Sequence, residues 1–109
     1  MTEEDSAYIQ AQIRALKDLL GLKQKELENL DKEDRAKVLA FYDPKDGPLS
    51  YSNPDIESRF LALALLTQEI DSKIEAVYEQ LERPQIPTAL LCRQAEELLN
   101  DYKERIDKI

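Results

Sequence analysis

From residue 53 onward the apolar positions fall into a pattern that suits a helix. Ile56, Phe60, Leu63, Thr67, Ile70, Ile74, Val77 and Leu81 succeed one another at alternating spacings of four and three. Residues so spaced line one face of an α-helix, because a turn takes about 3.6 residues. Asn53 is a natural N-cap, and Pro54 suits the first helical position, where its missing N–H would have no partner anyway. The pattern predicts a helix of about 30 residues, roughly 45 Å long. Arg83-Pro84-Gln85-Ile86-Pro87 ends it, since proline lacks a donor and pushes the residue before it out of the α region.

The same period recurs on either side. Ile9, Ile13, Leu16, Leu20, Leu27 and Leu30 predict a first helix from about Glu3 to Leu30, with Lys23 interrupting its apolar seam. Thr2 or Asp5 can cap it, and Glu3, Glu4 and Asp5 lie where the helix dipole favours negative charge. Gly21 costs about 1 kcal/mol relative to alanine without breaking the helix. Asp31 as an N-cap predicts a short second helix over Lys32–Tyr42, although nothing between Leu30 and Lys32 forbids one continuous helix. A last helix over about Thr88–Lys108 places Leu91, Ala95, Leu98, Tyr102 and Ile106 on one face. It closes in Lys103, Arg105 and Lys108, charge that suits a C-terminal dipole. The expected fold is all-α, an antiparallel helical bundle of three long helices plus a short extra helix, with coiled-coil-like packing and a single domain over residues 1–109.

Two features depart from a plain amphipathic bundle. Within the apolar run Phe60–Leu66, Leu61 and Leu65 project from the side opposite the seam. A surface helix is polar there, and one that is apolar all round is covered on more than one side. Two coverings are open: helices packed on both faces, which would make this the central helix, or a dimer or partner interface. Leaving both leucines in water would forgo about 1.5–3 kcal/mol each. The second feature is the segment 43–53, rich in Pro, Gly and Asx turn formers and longer than the two to eight residues usual between bundle helices. Phe41, Tyr42 and Tyr51 bracket it, with Leu49 between them. These side chains are either a lid on the bundle end or a partner-binding surface, where aromatics are enriched.

Composition narrows the function classes. The chain has 109 residues, 23 acidic against 15 basic, no histidine and one cysteine, for a formal net charge of −8. Charged residues reach 35%, above the usual figure of about 25%, yet the 42% apolar content is too high for a disordered tail. Nucleic acid and anionic membranes call for clustered Lys and Arg, so neither is an expected direct partner. Phe60–Leu66 falls far short of the roughly 20 apolar residues that span a bilayer, and no membrane insertion is expected. The segment Met1–Asp5 lacks the basic and apolar regions of a signal peptide, and the solitary thiol suits a reducing compartment. The expected location is cytoplasmic.

Catalytic chemistry finds little to work with. Histidine, the default general base, is missing, and one cysteine builds neither a disulfide framework nor a Cys-rich zinc site. Cys92 lies beside Leu90 and Leu91 and is expected as a buried structural thiol. Serines without a base make no triad, and no Gly-rich phosphate loop occurs. Aligning Gly47 with the sixth position of a calcium loop puts Tyr42 first, Pro44 third and Asn53 twelfth, which is the wrong set of ligands. Glu79-x-x-Glu82 resembles the helical carboxylate pairs with which all-α pyrophosphohydrolases of the MazG type bind magnesium. Here Asp71, Glu75, Glu79 and Glu82 fall at outward heptad positions, so a solvated face is expected. Glu96 and Glu97 are read the same way. No cofactor, metal or enzymatic activity is expected.

One further segment, Asp31-Lys-Glu-Asp34-Arg35-Ala36, resembles the acidic tip motif of DksA/TraR-type factors, which insert a helical hairpin into the RNA polymerase secondary channel. Ile86-Pro-Thr-Ala-Leu-Leu-Cys92 is similar to their segment entering the zinc-binding end. The match covers thirteen residues in two pieces, and the four-cysteine cluster is missing. The Asp pair also precedes a long Pro-rich loop instead of forming a hairpin tip, and no residue role is carried over. The expected function is a non-catalytic helical protein–protein interaction module (an assembly subunit, adaptor or small chaperone), self-associating through apolar helix faces. The alternative is an acidic regulator or inhibitor occupying a basic groove, for example on a polymerase or a nucleic-acid-binding protein. Candidate partner-binding residues are Leu61, Leu65, Phe41, Tyr42, Leu49 and Tyr51.

Overall fold

The computed structural model describes residues 3–47, 51–83 and 86–109. Among them are three α-helices and one 3-10 turn: α1 spans Glu3–Ala40, the turn Pro44–Asp46, α2 Pro54–Glu82 and α3 Thr88–Asp107. Together they form a rod measuring 67 × 20 × 19 Å. Long-range bonds set the directions. Tyr51 and Asn53, just ahead of α2, bond to Asp31 and Asp34 late in α1. Glu69 in α2 meets Tyr102 and Arg105 of α3, and Tyr8 near the start of α1 donates to Glu96 of α3. Thus α2 runs antiparallel to both of its neighbours, and α1 and α3 run the same way.

The separate helix expected over Lys32–Tyr42 does not form. Residues 30–37 contain neither glycine nor proline, so nothing forces the backbone out of the α region. Asp31 therefore stays inside α1 and never caps. Its carboxylate lies 3.9 Å from Arg35 Nη2, a one-turn pairing on a continuous helix. The α2 boundaries follow from local chemistry: Asn53 accepts a hydrogen bond from the Ile56 N–H at 3.2 Å, and Pro54 opens the helix.

One apolar cluster runs along the rod. Ile9, Ile13, Leu16, Leu20 and Leu27 of α1 are buried with Leu63, Ile70, Ile74 and Val77 of α2. All five positions expected on α3, Leu91, Ala95, Leu98, Tyr102 and Ile106, join them. The α2 seam is not a strict coiled-coil heptad. Leu66, off the seam, is buried, while Thr67, on it, is half-buried and donates its hydroxyl to the Leu63 carbonyl at 2.7 Å. Contact with two neighbouring helices widens the buried face beyond the narrow stripe that a two-stranded seam needs.

Lys23 interrupts the α1 seam and remains inside it, only 8% exposed. Its ammonium bonds to Glu26 at 2.9 Å and donates to the Asp107 carbonyl at 3.4 Å, in the last turn of α3. Arg59 of α2 donates to the Ile109 carbonyl beside it. Lys23 thus meets the negative end of α3, and Arg59 binds the chain just past it. Past this level only α1 and α2 continue. Residues 24–40 of α1 carry on for roughly 25 Å at 1.5 Å per residue, so the α1–α2 hairpin projects beyond the end of α3.

The two glycines respond oppositely to a methyl group. Gly21 has nothing within 4 Å of an added Cβ and an ordinary helical backbone, whereas Gly47 holds φ at +93°. Gly21→Ala is expected to stabilise by about 1 kcal/mol, and Gly47→Ala to destabilise by about 1–3 kcal/mol. Thermal midpoints that rise for the first and fall for the second check this; equal midpoints refute it.

Candidate functional site

Two exposed apolar surfaces stand out, one on α2 and one at the hairpin end. On α2, Leu61 and Leu65 lie one turn apart and point away from the core, 61% and 58% exposed. The central-helix covering is thereby overturned: α1 and α3 both pack on the inner side of α2, and no helix of the described chain crosses its outer side. Ala62 and Ala64 flank the leucines and are exposed as well. Around the edge, Leu65 reaches an open groove of about 250 Å³ shared with Leu66, Glu69, Arg105 and Ile109.

At the hairpin end the candidate aromatics separate. Phe41 is 91% exposed, with Val38 and Leu39 exposed in the turn before it. The backbone there continues in tight turns, Phe41 N–H to the Val38 carbonyl and Tyr42 N–H to the Leu39 carbonyl, both at 3.2 Å. Such bonds close a helix end and leave the side chains directed outward. Tyr42 is half-buried, and Leu49 lies outside the described residues. Tyr51 folds back onto α1: its hydroxyl donates to Asp31 at 3.0 Å, and the Arg35 guanidinium stacks 4.9 Å above its ring. Asn53 donates to Asp34 at 2.6 Å alongside. Tyr51 and Asn53 therefore anchor the loop to α1, while Phe41 is no lid. The candidate aromatics thus differ in placement, Tyr51 packed on α1 and Phe41 exposed.

Sequence reasoning missed Val38 and Leu39, although Val38-Leu-Ala-Phe41-Tyr42 is itself an apolar run. It also missed that Asp31 and Asp34 would be occupied by loop side chains. The short-range pattern carried no signal for contacts twenty residues apart.

The remaining candidate chemistry stays dispersed. Asp71, Glu75, Glu79 and Glu82 are all exposed along α2, and no group of three or more His, Cys, Asp or Glu converges in a metal-holding arrangement among the described residues. Cys92 is half-buried against the core, and burial, with Asp5 and Glu96 nearby, pushes its thiol upward in pKa. A thiol kept protonated is a weak nucleophile. No helix among the described residues is long and apolar enough to cross a membrane. A groove of about 570 Å³ between α1 and α3 sets Leu19, Leu22 and Ile106 among Lys103, Glu104 and Asp107.

Compared with protein-family models, with curated proteins and with solved structures, the chain has no significant match in any of the three.

The clearest electrostatic feature joins α2 to α3. Glu69 accepts from both Arg105 guanidinium nitrogens at 3.2 and 3.0 Å and from the Tyr102 hydroxyl at 2.7 Å. Arg105, then Tyr102, hold the Glu69 carboxyl below its ordinary range. A carboxylate depressed by folding favours the folded state above its unfolded pKa of about 4.3, and that contribution is lost as pH falls through the lower folded value. Burial and the Glu69 bond raise Tyr102, which favours folding below about pH 10 and ceases to do so as pH rises through the raised value. Glu69→Gln is expected to show a shallower fall of thermal midpoint between about pH 5 and pH 3 than the wild type. Parallel curves would rule out this network as a source of acid sensitivity.

Proposed function

We propose that the protein is a non-catalytic helical interaction module that presents the end of its α1–α2 hairpin to a protein partner and also self-associates. The observation that carries this reading is Phe41, 91% exposed beside Val38 and Leu39 on a projecting end. A large apolar side chain in water forgoes about 1.5–3 kcal/mol relative to burial, and aromatics are enriched in the residues that dominate interfaces. The dispersed carboxylates and the protonated thiol support an interaction role over a chemical one. The −8 charge suits keeping such a surface soluble until it is met.

A second reading, the acidic regulator that enters a basic groove, has one observation in its favour. The segment that resembles the DksA/TraR tip motif, Asp31–Ala36, lies within α1 on the projecting part of the hairpin, still ahead of the Pro-rich loop and short of the tip. The bonds from Tyr51 and Asn53 weigh on the other side, because they already occupy Asp31 and Asp34.

A photo-crosslinking residue at Val38 tests the first reading, in otherwise wild-type chain and in Phe41→Ser. The expected result is a discrete protein adduct whose yield falls at least tenfold with Phe41→Ser at an unchanged thermal midpoint, and equal yields would sink it. Binding to purified RNA polymerase at about 50 and 200 mM salt tests the second, which expects clear weakening as charges are screened. Absent or salt-insensitive binding removes it.

A further inference from the structure

The outward side of α2 joins exposed apolar residues to unpaired carboxylates. Leu61, Leu65, Gln68, Ser72, Glu75 and Glu79 follow at spacings of four, three, four, three and four, so they form one row, and all six are exposed. The row is apolar at its start, where Ala62 and Ala64 are exposed beside the leucines, and acidic at its end. It measures roughly 27 Å at 1.5 Å per residue. Glu57 lies one turn before Leu61, and Asp71 and Glu82 lie near the acidic end, all three exposed.

The charge on α2 is one-sided. Its 29 residues hold seven carboxylates and two cations, and so five of the eight net negative charges of the chain. Both cations are turned toward the α3 side: Arg59 donates to the Ile109 carbonyl, and the Lys73 ammonium stands 5.9 Å from the centre of the Tyr102 ring. Glu69 is likewise held there by Arg105 and Tyr102. Among the described residues no cation lies within ion-pair distance of Glu57, Asp71, Glu75, Glu79 or Glu82. Arg83 borders the last two across an open groove of about 490 Å³ without pairing with either.

A helix laid over Leu61 and Leu65 is about 10 Å wide, so it also passes Glu57 and, followed along the row, Glu75 and Glu79. The charge of the occupant then decides the outcome. A neutral surface strips water from these carboxylates and returns no partner. A second copy sets carboxylates against carboxylates, because each chain brings the same acidic helix. Lys or Arg supplies the missing pairs, and the field of an acidic helix draws such a partner in.

We propose that the outward face of α2 is the docking site of a cationic amphipathic helix from another protein. Its apolar side chains lie against Leu61 and Leu65, and its Lys or Arg side chains reach Glu75 and Glu79. Exposed ion pairs contribute little each, so the leucines carry the affinity while the carboxylates select the sign of the partner and impose salt dependence. This surface is separate from Phe41 and goes beyond the function proposed above, so the Val38 crosslink and the experiment below fail independently.

Fluorescence anisotropy with the full-length chain tests the site, using a labelled probe helix of Leu and Lys, about 18 residues long to match the row, beside the same helix with Glu for every Lys. The expected result is binding of the Leu/Lys helix that weakens between about 50 and 200 mM salt, and at least tenfold weaker binding of the Leu/Glu helix. Leu61→Ser/Leu65→Ser is expected to weaken the Leu/Lys complex at least tenfold, and Glu75→Gln/Glu79→Gln at least fivefold, at unchanged thermal midpoints. Glu97→Gln/Glu104→Gln, which removes the same charge from exposed positions of α3, is expected to change it less than twofold. Equal losses in the α2 and α3 carboxylate variants reveal only a general attraction to an acidic chain and overturn the site, as do absent binding and equal binding of the Leu/Glu helix. Sedimentation equilibrium of the chain alone tests the other occupant. A dimer that Leu61→Ser/Leu65→Ser abolishes places a second copy on this face and overturns the proposal. A monomer, or a dimer that this variant preserves, leaves the face open to the cationic helix, as expected.

Discussion

Everything about the shape of this molecule turns on how α3 ends. The last carbonyls of a helix have no partners of their own and carry the negative end of its dipole. Here Lys23 of α1 donates to the Asp107 carbonyl in the last turn, and Arg59 of α2 donates to the Ile109 oxygen two residues further on. Lys23 reaches its carbonyl by laying an apolar stem along the leucine seam, which is how a charged side chain tolerates near-complete burial. The partial charge at Asp107 and the carboxylate of Glu26 share its ammonium. Lys23 and Arg59 lie at the level where three helices become two.

Beyond that level the hairpin is held by buried Leu27 and Ile56 and by polar contacts. Tyr51 and Asn53 bind back to Asp31 and Asp34, and Arg35 closes over the Tyr51 ring. Burial and the Asp31 bond raise the pKa of Tyr51, so its hydroxyl stays a donor throughout the neutral range. Ile56 is buried nearby yet stands apart from the main apolar cluster. The aromatics at this end therefore divide the work: Tyr51 secures the loop, and Phe41 is left in water.

The helical content and most of the core were legible in the sequence, and the reason is periodicity. All five inward positions of α3 and the α2 start at Asn53-Pro54 follow from local rules that depend on residues a few places apart. Three things were not legible. Asp31 can cap a helix or sit within one, and the outcome depended on the uninterrupted chain before it. Leu66 became buried because α3 lies beside α2 on a flank that the seam alone does not reveal. Leu61 and Leu65 stayed exposed because apolarity states a preference for cover without supplying the neighbour. For the candidate surfaces the pattern named Phe41, Leu61 and Leu65 but could not tell a lid from an open end, since that depends on a contact twenty residues away.

The overhang also makes the molecule unequal along its length. Amide protons between α1 and α3 are shielded by packing from both neighbouring helices, whereas those of residues 32–40 lie in a stretch whose side chains are almost all solvent-facing. Protection against exchange with solvent therefore grades downward from the three-helix end to the hairpin end, as it does wherever few buried contacts hold a segment. The distal turns of α1 can open and re-form without disturbing Leu16 or Ile70. A surface carried there can be remodelled by substitution, or by a partner's grip, at little cost to the fold beneath it.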